Sequence, residues 1–150
     1  MIKFKLKNST TLVSAEKSIS AIEQMLSAFG ATQIMKEFYT DGRCKGIAFK
    51  LEQQVFKLPA NIEGVRNYLF ANKTDRIDGN KSRDERAYRV AWRILKDWVA
   101  SQFSIVASGQ AQPDEVLLPY LWNGRETFYT AYKEGKLQLG APKDDMEVKK

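Results

Sequence analysis

Between residues 82 and 109 the chain repeats apolar and charged side chains with the period of an α-helix, and any fold must be built around that element. Tyr88, Ala91, Trp92, Leu95, Trp98, Val99, Gln102 and Val106 fall at helical spacing, which puts them on one side of a helix of about six turns. Ser82-Arg83-Asp84-Glu85 reads as a capping box opening it. The serine oxygen accepts from the third residue's N–H while the glutamate reaches back. Gly109 reads as its stop.

The rest of the chain predicts a small sheet and shorter helices. Residues 2–7 alternate apolar residues with lysine, as a half-buried strand does. Ser14 suits an N-cap and Glu16 the first turn of a helix carrying Ile19, Ile22, Leu26 and Phe29, stopped at Gly30. Residues 32–39 and 44–51 read as strands joined at Asp41-Gly42, a hairpin signal. A turn at residues 52–54 leads to a third short strand at 55–58, ended by Pro59. Asn61 caps a helix with Ile62, Val65 and Leu69 inward, and residues 72–81 read as an exposed loop. Pro113 opens a short helix that Pro119 ends, and residues 124–134 form a last helix before Gly135. The order β-α-β-β-β-α followed by helices predicts an α+β class with an antiparallel sheet and helices on one face. A length of 150 residues fits one domain, expected over 1–139, with a flexible tail at 140–150.

The absence of histidine constrains the chemistry. It removes Ser-His-Asp and Cys-His catalysis. With a single cysteine, Cys44, it also removes ordinary zinc sites and any intrachain disulfide. Cys44 lies beside Arg43 and Lys45, which favour a thiolate, but without a histidine base it reads as an inert structural thiol. Asp75, Asp78 and Asp84 cluster in sequence but lack calcium-loop spacing. The expectation is a non-enzymatic protein without cofactor or metal. No stretch approaches the roughly 20 apolar residues of a membrane helix, and the charged N-terminus is no signal peptide, so a cytoplasmic location is expected.

The net charge is +6. Lys and Arg outnumber Asp and Glu nine to five over residues 1–60 and nine to six over 61–110, whereas 111–150 carry six against seven. That balance favours an anionic partner, although charge also simply keeps small proteins soluble. Arg86, Arg89, Arg93 and Lys96 form one helical stripe, extended by Arg83. Guanidinium forks at such spacing suit phosphates. The competing reading is a solvated outer face, and Asp97 partly cancels the stripe. On the strands, Lys36, Arg43 and Lys45, with Lys3, Lys5, Lys7, Lys50 and Lys57, interleave with Phe38, Tyr39, Phe49 and Phe56. Basic strands with exposed aromatics suit single-strand binding. The alternative buries the rings, and Phe49 shares parity with Ile47 and Leu51, which favours core. Either Phe38 or Tyr39 is expected outside, because they point oppositely. Trp92 and Trp98 read as core rather than, with Trp122, a ligand box.

Three stretches carry a resemblance. Leu58-Pro59-Ala60-Asn61-Ile62-Glu63-Gly64-Val65, the run from Ala87 to Trp98, and Asp114-Glu115-Val116-Leu117-Leu118-Pro119-Tyr120 resemble a family of small uncharacterised proteins of bacteriophages and prophages. The resemblance implies expression in a bacterial cytoplasm from a mobile element. It carries no site residues. Residues 14–72 also run α-β-β-β-α as in the double-stranded-RNA-binding domain, but the last helix opens Asn61-Ile62-Glu63-Gly64 without that domain's lysines. The expected function is a phage-encoded accessory protein contacting phosphates of single-stranded or structured nucleic acid. The alternative is a protein-interaction module that inhibits or modulates a host defence or replication enzyme.

Overall fold

The computed structural model describes residues 4–72 and 80–137. Helix α1 spans Ala15–Ala28 and opens on Ser14, whose side chain accepts from Lys17 N–H. It ends where Gly30 takes φ +104°, with Ala31 N–H on the Leu26 carbonyl and Gly30 N–H on that of Ser27. This is the paired bonding of a glycine-terminated helix. Strands β1 (Gln33–Phe38), β2 (Cys44–Leu51) and β3 (Gln54–Pro59) form an antiparallel sheet in that order. Helices α2 (Ile62–Asn72) and α3 (Asn80–Ala107) follow. A short α4 (Pro113–Leu117), a 3-10 turn (Leu118–Tyr120) and α5 (Phe128–Lys133) complete the described chain. The α+β class and the antiparallel sheet expected from sequence are present.

Strand alternation divides the sheet into two faces. Ile47, Phe49 and Leu51 of β2, with Phe56 and Leu58 of β3, are buried with Ile22 and Leu26 of α1 and with Ala87, Ala91 and Trp92 of α3. On the other face the register sets Met35 beside Ala48 and Lys57, and Glu37 beside Gly46 and Pro59. Between Glu37 and Phe38 the register shifts, because Glu37 faces Gly46 while Phe38 faces Cys44. Lys45 is therefore the extra residue of a bulge, which re-aims its side chain.

Helix α3 is tied to the sheet at the backbone of one residue, Cys44. Trp92, fully buried, donates from its indole Nε1 to the Cys44 carbonyl at 3.1 Å. The Tyr88 hydroxyl accepts from Cys44 N–H at 2.9 Å. Burial pushes both the Tyr88 hydroxyl and the Cys44 thiol above their ordinary pKa values, so both stay protonated near neutrality. This agrees with the inert thiol expected for Cys44.

Four local expectations differ from the structure. No strand forms over the described part of residues 2–7. Phe4 is 70% exposed, and the main chain there is held by side chains rather than by a ladder. The Tyr68 hydroxyl accepts from Leu6 N–H and donates to the Phe4 carbonyl. Helix α3 begins at Asn80, so Ser82 lies inside its first turn and does not open it. Of the expected loop at 72–81, Asn72 belongs to α2 and residues 80–81 to α3, while residues 73–79 lie outside the described residues. Helix α5 begins at Phe128 rather than 124. Asn123 captures the N–H groups of Arg125 and Glu126 with its side-chain oxygen, which makes a turn where a helix start was expected. The expected tail at 140–150 lies outside the described residues. Among the described residues no helix is long and apolar enough to cross a membrane.

Candidate nucleic-acid interface

Of the five cations expected to line α3, Arg93 is half-exposed and makes no ion pair among the described residues, and the other four do not form an open stripe. Arg86 is only 8% exposed, and its Nε donates to the Ser9 carbonyl. Arg89 Nε donates to the Thr11 carbonyl at 3.4 Å. Both therefore grip the segment before α1. This corrects the reading of Arg86 as a surface phosphate contact. Arg83 stacks over Phe70 at 4.0 Å, beside Arg66, which occupies the same ring and donates to Asp84. Lys96 lies 3.7 Å from Asp97. The physical reason is that the first half of α3 is wrapped. Ala87, Val90, Ala91 and Trp92 are all buried, and the N-terminal segment crosses the remaining side.

Asp97 anchors that segment. It accepts from Asn8 Nδ2 at 2.9 Å and pairs with Lys7 at 3.0 Å. Burial works to raise the Asp97 carboxyl, but the bonds from Asn8 and Lys7, with the fields of Lys7 and Arg93, outweigh it and hold the pKa below its ordinary value. A depressed carboxylate stabilises the fold above its unfolded-state pKa, and that contribution is lost as pH falls through the lower folded value. Acidification below the ordinary aspartate range should therefore loosen residues 6–9 before the core melts. The amide resonance of Leu6 reports it, and Asp97→Asn should reproduce the shift at neutral pH. A Leu6 signal unmoved in both cases would refute the anchor.

The strand cations divide between the two faces of the sheet. Lys36 faces the helices and pairs with Glu23 of α1 at 3.1 Å. Arg43 sits at the hairpin end and pairs with Asp41 at 2.9 Å. Its guanidinium also lies 5.6 Å from the Tyr39 ring and 5.7 Å from that of Tyr88. Of the three expected residues, Lys45 belongs to the outer face. There Lys45 and Lys57 share one carboxylate, with Nζ groups at 4.0 and 2.6 Å from the two oxygens of Glu37. Beyond Lys45 lies the Tyr39 ring at 5.7 Å, and beyond Lys57 the Trp122 ring at 5.0 Å. A file Tyr39–Lys45–Glu37–Lys57–Trp122 thus crosses the sheet, ring, cation, carboxylate, cation, ring. Cations over ring faces are attractive in their own right, which adds to the hold of Glu37 on both lysines. Arg125, exposed next to Trp122, makes no ion pair among the described residues.

Sequence reasoning placed Lys45, Lys57 and the exposed Tyr39 among basic strands with aromatics, and it placed Phe49 in the core, where it is. Phe38 and Tyr39 are both exposed: Phe38 is the last residue of β1 and Tyr39 lies beyond it, at the hairpin end. Sequence reasoning weighed Trp122 only as part of a ligand box with Trp92 and Trp98, and it missed Arg125. The available signal was that Trp122 stands outside every helical period, next to the Asn123-Gly124 turn.

Among the described residues no cluster of three or more acidic or cysteine side chains could hold a metal ion. Asp75 and Asp78 lie outside the described residues. No family model, curated protein or solved structure matches this chain.

Proposed function

We propose that this chain is a non-enzymatic binder of single-stranded or structured nucleic acid, and that the outer face of the sheet is its contact surface. The observation that carries the reading is the file of alternating rings and cations from Tyr39 to Trp122. Ammonium groups hold phosphates, and flat rings beside them accept bases of any sequence. Glu37 keeps both lysines where an oxyanion sits between them, and a phosphate can take the place of the carboxylate. Arg125 extends the cationic edge without an acid to displace. The bacteriophage context implied by the sequence resemblance suits such an accessory role in a bacterial cytoplasm.

The test is the salt dependence of oligonucleotide binding, read by fluorescence anisotropy. Single-strand affinity falls with salt with a slope of about −0.7 per phosphate contacted. Three contacts, at Lys45, Lys57 and Arg125, therefore predict roughly twentyfold weaker binding for a fourfold rise in salt. No binding at low salt, or a flat response, would end the reading.

A second reading draws on strand β1. It is an edge strand of the described sheet, and Met35 and Phe38 on it are 49% and 55% exposed. Exposed apolar side chains on an open edge suit pairing with another chain. The protein would then act as an inhibitor or modulator of a host defence or replication enzyme, its basic face turned to an acidic channel.

A further inference from the structure

Where the outer face meets the C-terminal segment, the chain forms a groove of about 520 Å3. Leu121 and Trp122 run beside β3, with Trp122 N–H on the Val55 carbonyl at 2.9 Å. The chain then reverses at Gly124, where φ is +97°. Thr127 pairs back with Trp122, and α5 begins. The groove left between β3 and α5 is lined by Lys57, Tyr120, Trp122, Arg125 and Tyr129, among others. Its volume lies in the range of sites that enclose a small ligand.

The lining has a defined chemistry. Tyr120 is turned edge-on to Trp98 at 5.4 Å and serves the core. Tyr129 has no such duty and is 55% exposed. Glu126 also lines the groove, but Lys136 holds both of its carboxylate oxygens, at 2.9 and 3.0 Å. Lys136 is shared with Glu134 at 2.9 Å. The cations facing the groove are Lys57, which is itself paired with Glu37, and Arg125, which makes no ion pair among the described residues. Lys57 Nζ stands 5.0 Å from the Trp122 ring, so a phosphate partner and a stacking surface lie next to each other. A nucleotide carries its phosphate and its flat base joined in the same way.

We propose that this groove takes an unpaired base of a bound strand, against Trp122 and Tyr129, with the flanking phosphates on Lys57 and Arg125. The protein thereby selects single strands over duplex. The inference rests on the nucleic-acid reading above and narrows it from single-stranded or structured nucleic acid to strands with unpaired bases. In a duplex the base is stacked and paired, and entering the groove would require opening the pair.

The experiment compares three ligands of equal length on the full chain at one low salt concentration: an oligothymidine strand, the same strand with abasic sites, and a duplex. Base stacking on an aromatic side chain predicts about tenfold tighter binding of oligothymidine than of the abasic strand. The duplex should bind no better than the abasic strand. Oligothymidine should also quench tryptophan fluorescence. Tyr129→Ala removes an exposed side chain and should narrow the gap, whereas Trp122→Phe, which keeps a ring, should preserve most of it. Equal binding of the base-bearing and abasic strands, with Lys57→Glu weakening both alike, would overturn the groove and leave the polyanion reading standing. Failure of all three ligands to bind would overturn both.

Discussion

Replacing Trp92 with alanine is expected to destabilise the protein by about 3–5 kcal/mol, the usual cost of removing a fully buried large aromatic side chain. The loss is a large fraction of the total stability of roughly 5–15 kcal/mol for a domain. Part of the cost is polar. The Cys44 carbonyl loses the indole donor at 3.1 Å, and a buried acceptor left unpaired costs about 1–3 kcal/mol. Trp92→Phe separates the two contributions, because it keeps most of the apolar volume and removes the donor. Urea denaturation midpoints should rank wild type above Trp92→Phe, and Trp92→Phe above Trp92→Ala. Equal midpoints for the two variants would mean that the hydrogen bond, not the packed volume, dominates.

Reversing the charge of Lys57 is expected to have the largest effect on binding. A hydrogen bond to a charged partner contributes about 1.5–3 kcal/mol, so Lys57→Glu should weaken oligonucleotide binding by tenfold or more at low salt. Loss of one phosphate contact should also make the salt response shallower by about 0.7 of a slope unit. The control is Lys17→Glu, at an exposed site on α1 with the same change in net charge. If the outer face is the contact surface, Lys17→Glu leaves affinity nearly unchanged. Equal losses for the two variants would show that overall charge, and no particular surface, attracts the polyanion. Lys57 is already paired with Glu37, so retention of the fold by Lys57→Glu should be verified by circular dichroism.

The helices and strands were legible because their signals are local. Apolar period located α1 and α3, and Asp41-Gly42 located the β1–β2 hairpin. Ser14 and Asn61 located two caps, and Asn61 does hold Gly64 N–H at 2.8 Å. What failed was the assumption that a charged helix face is a free one. The period of α3 separates Arg86 and Arg89 from Trp92, but it says nothing about what crosses the polar side. The answer lies 77 and 78 residues away, in the carbonyls of Ser9 and Thr11. Lysine alternation over residues 2–7 suggested a strand for the same reason: it reports side-chain parity, not the presence of a partner. The outer-face file was half legible. Lys45 and Tyr39 are close in sequence, whereas Trp122 reaches Lys57 only because residues 121–122 return along β3.

Both backbone hydrogen-bonding groups of one residue, Cys44, are occupied from a single helix. A strand usually slides by trading one ladder partner for the next, and β2 cannot do so without releasing Tyr88 and Trp92 together. Lys45 is the very next residue, so its station on the outer face is clamped from the helix side of the sheet. The backbone station of Lys45, and with it one end of the outer-face file, is therefore set by a helix on the opposite side of the sheet.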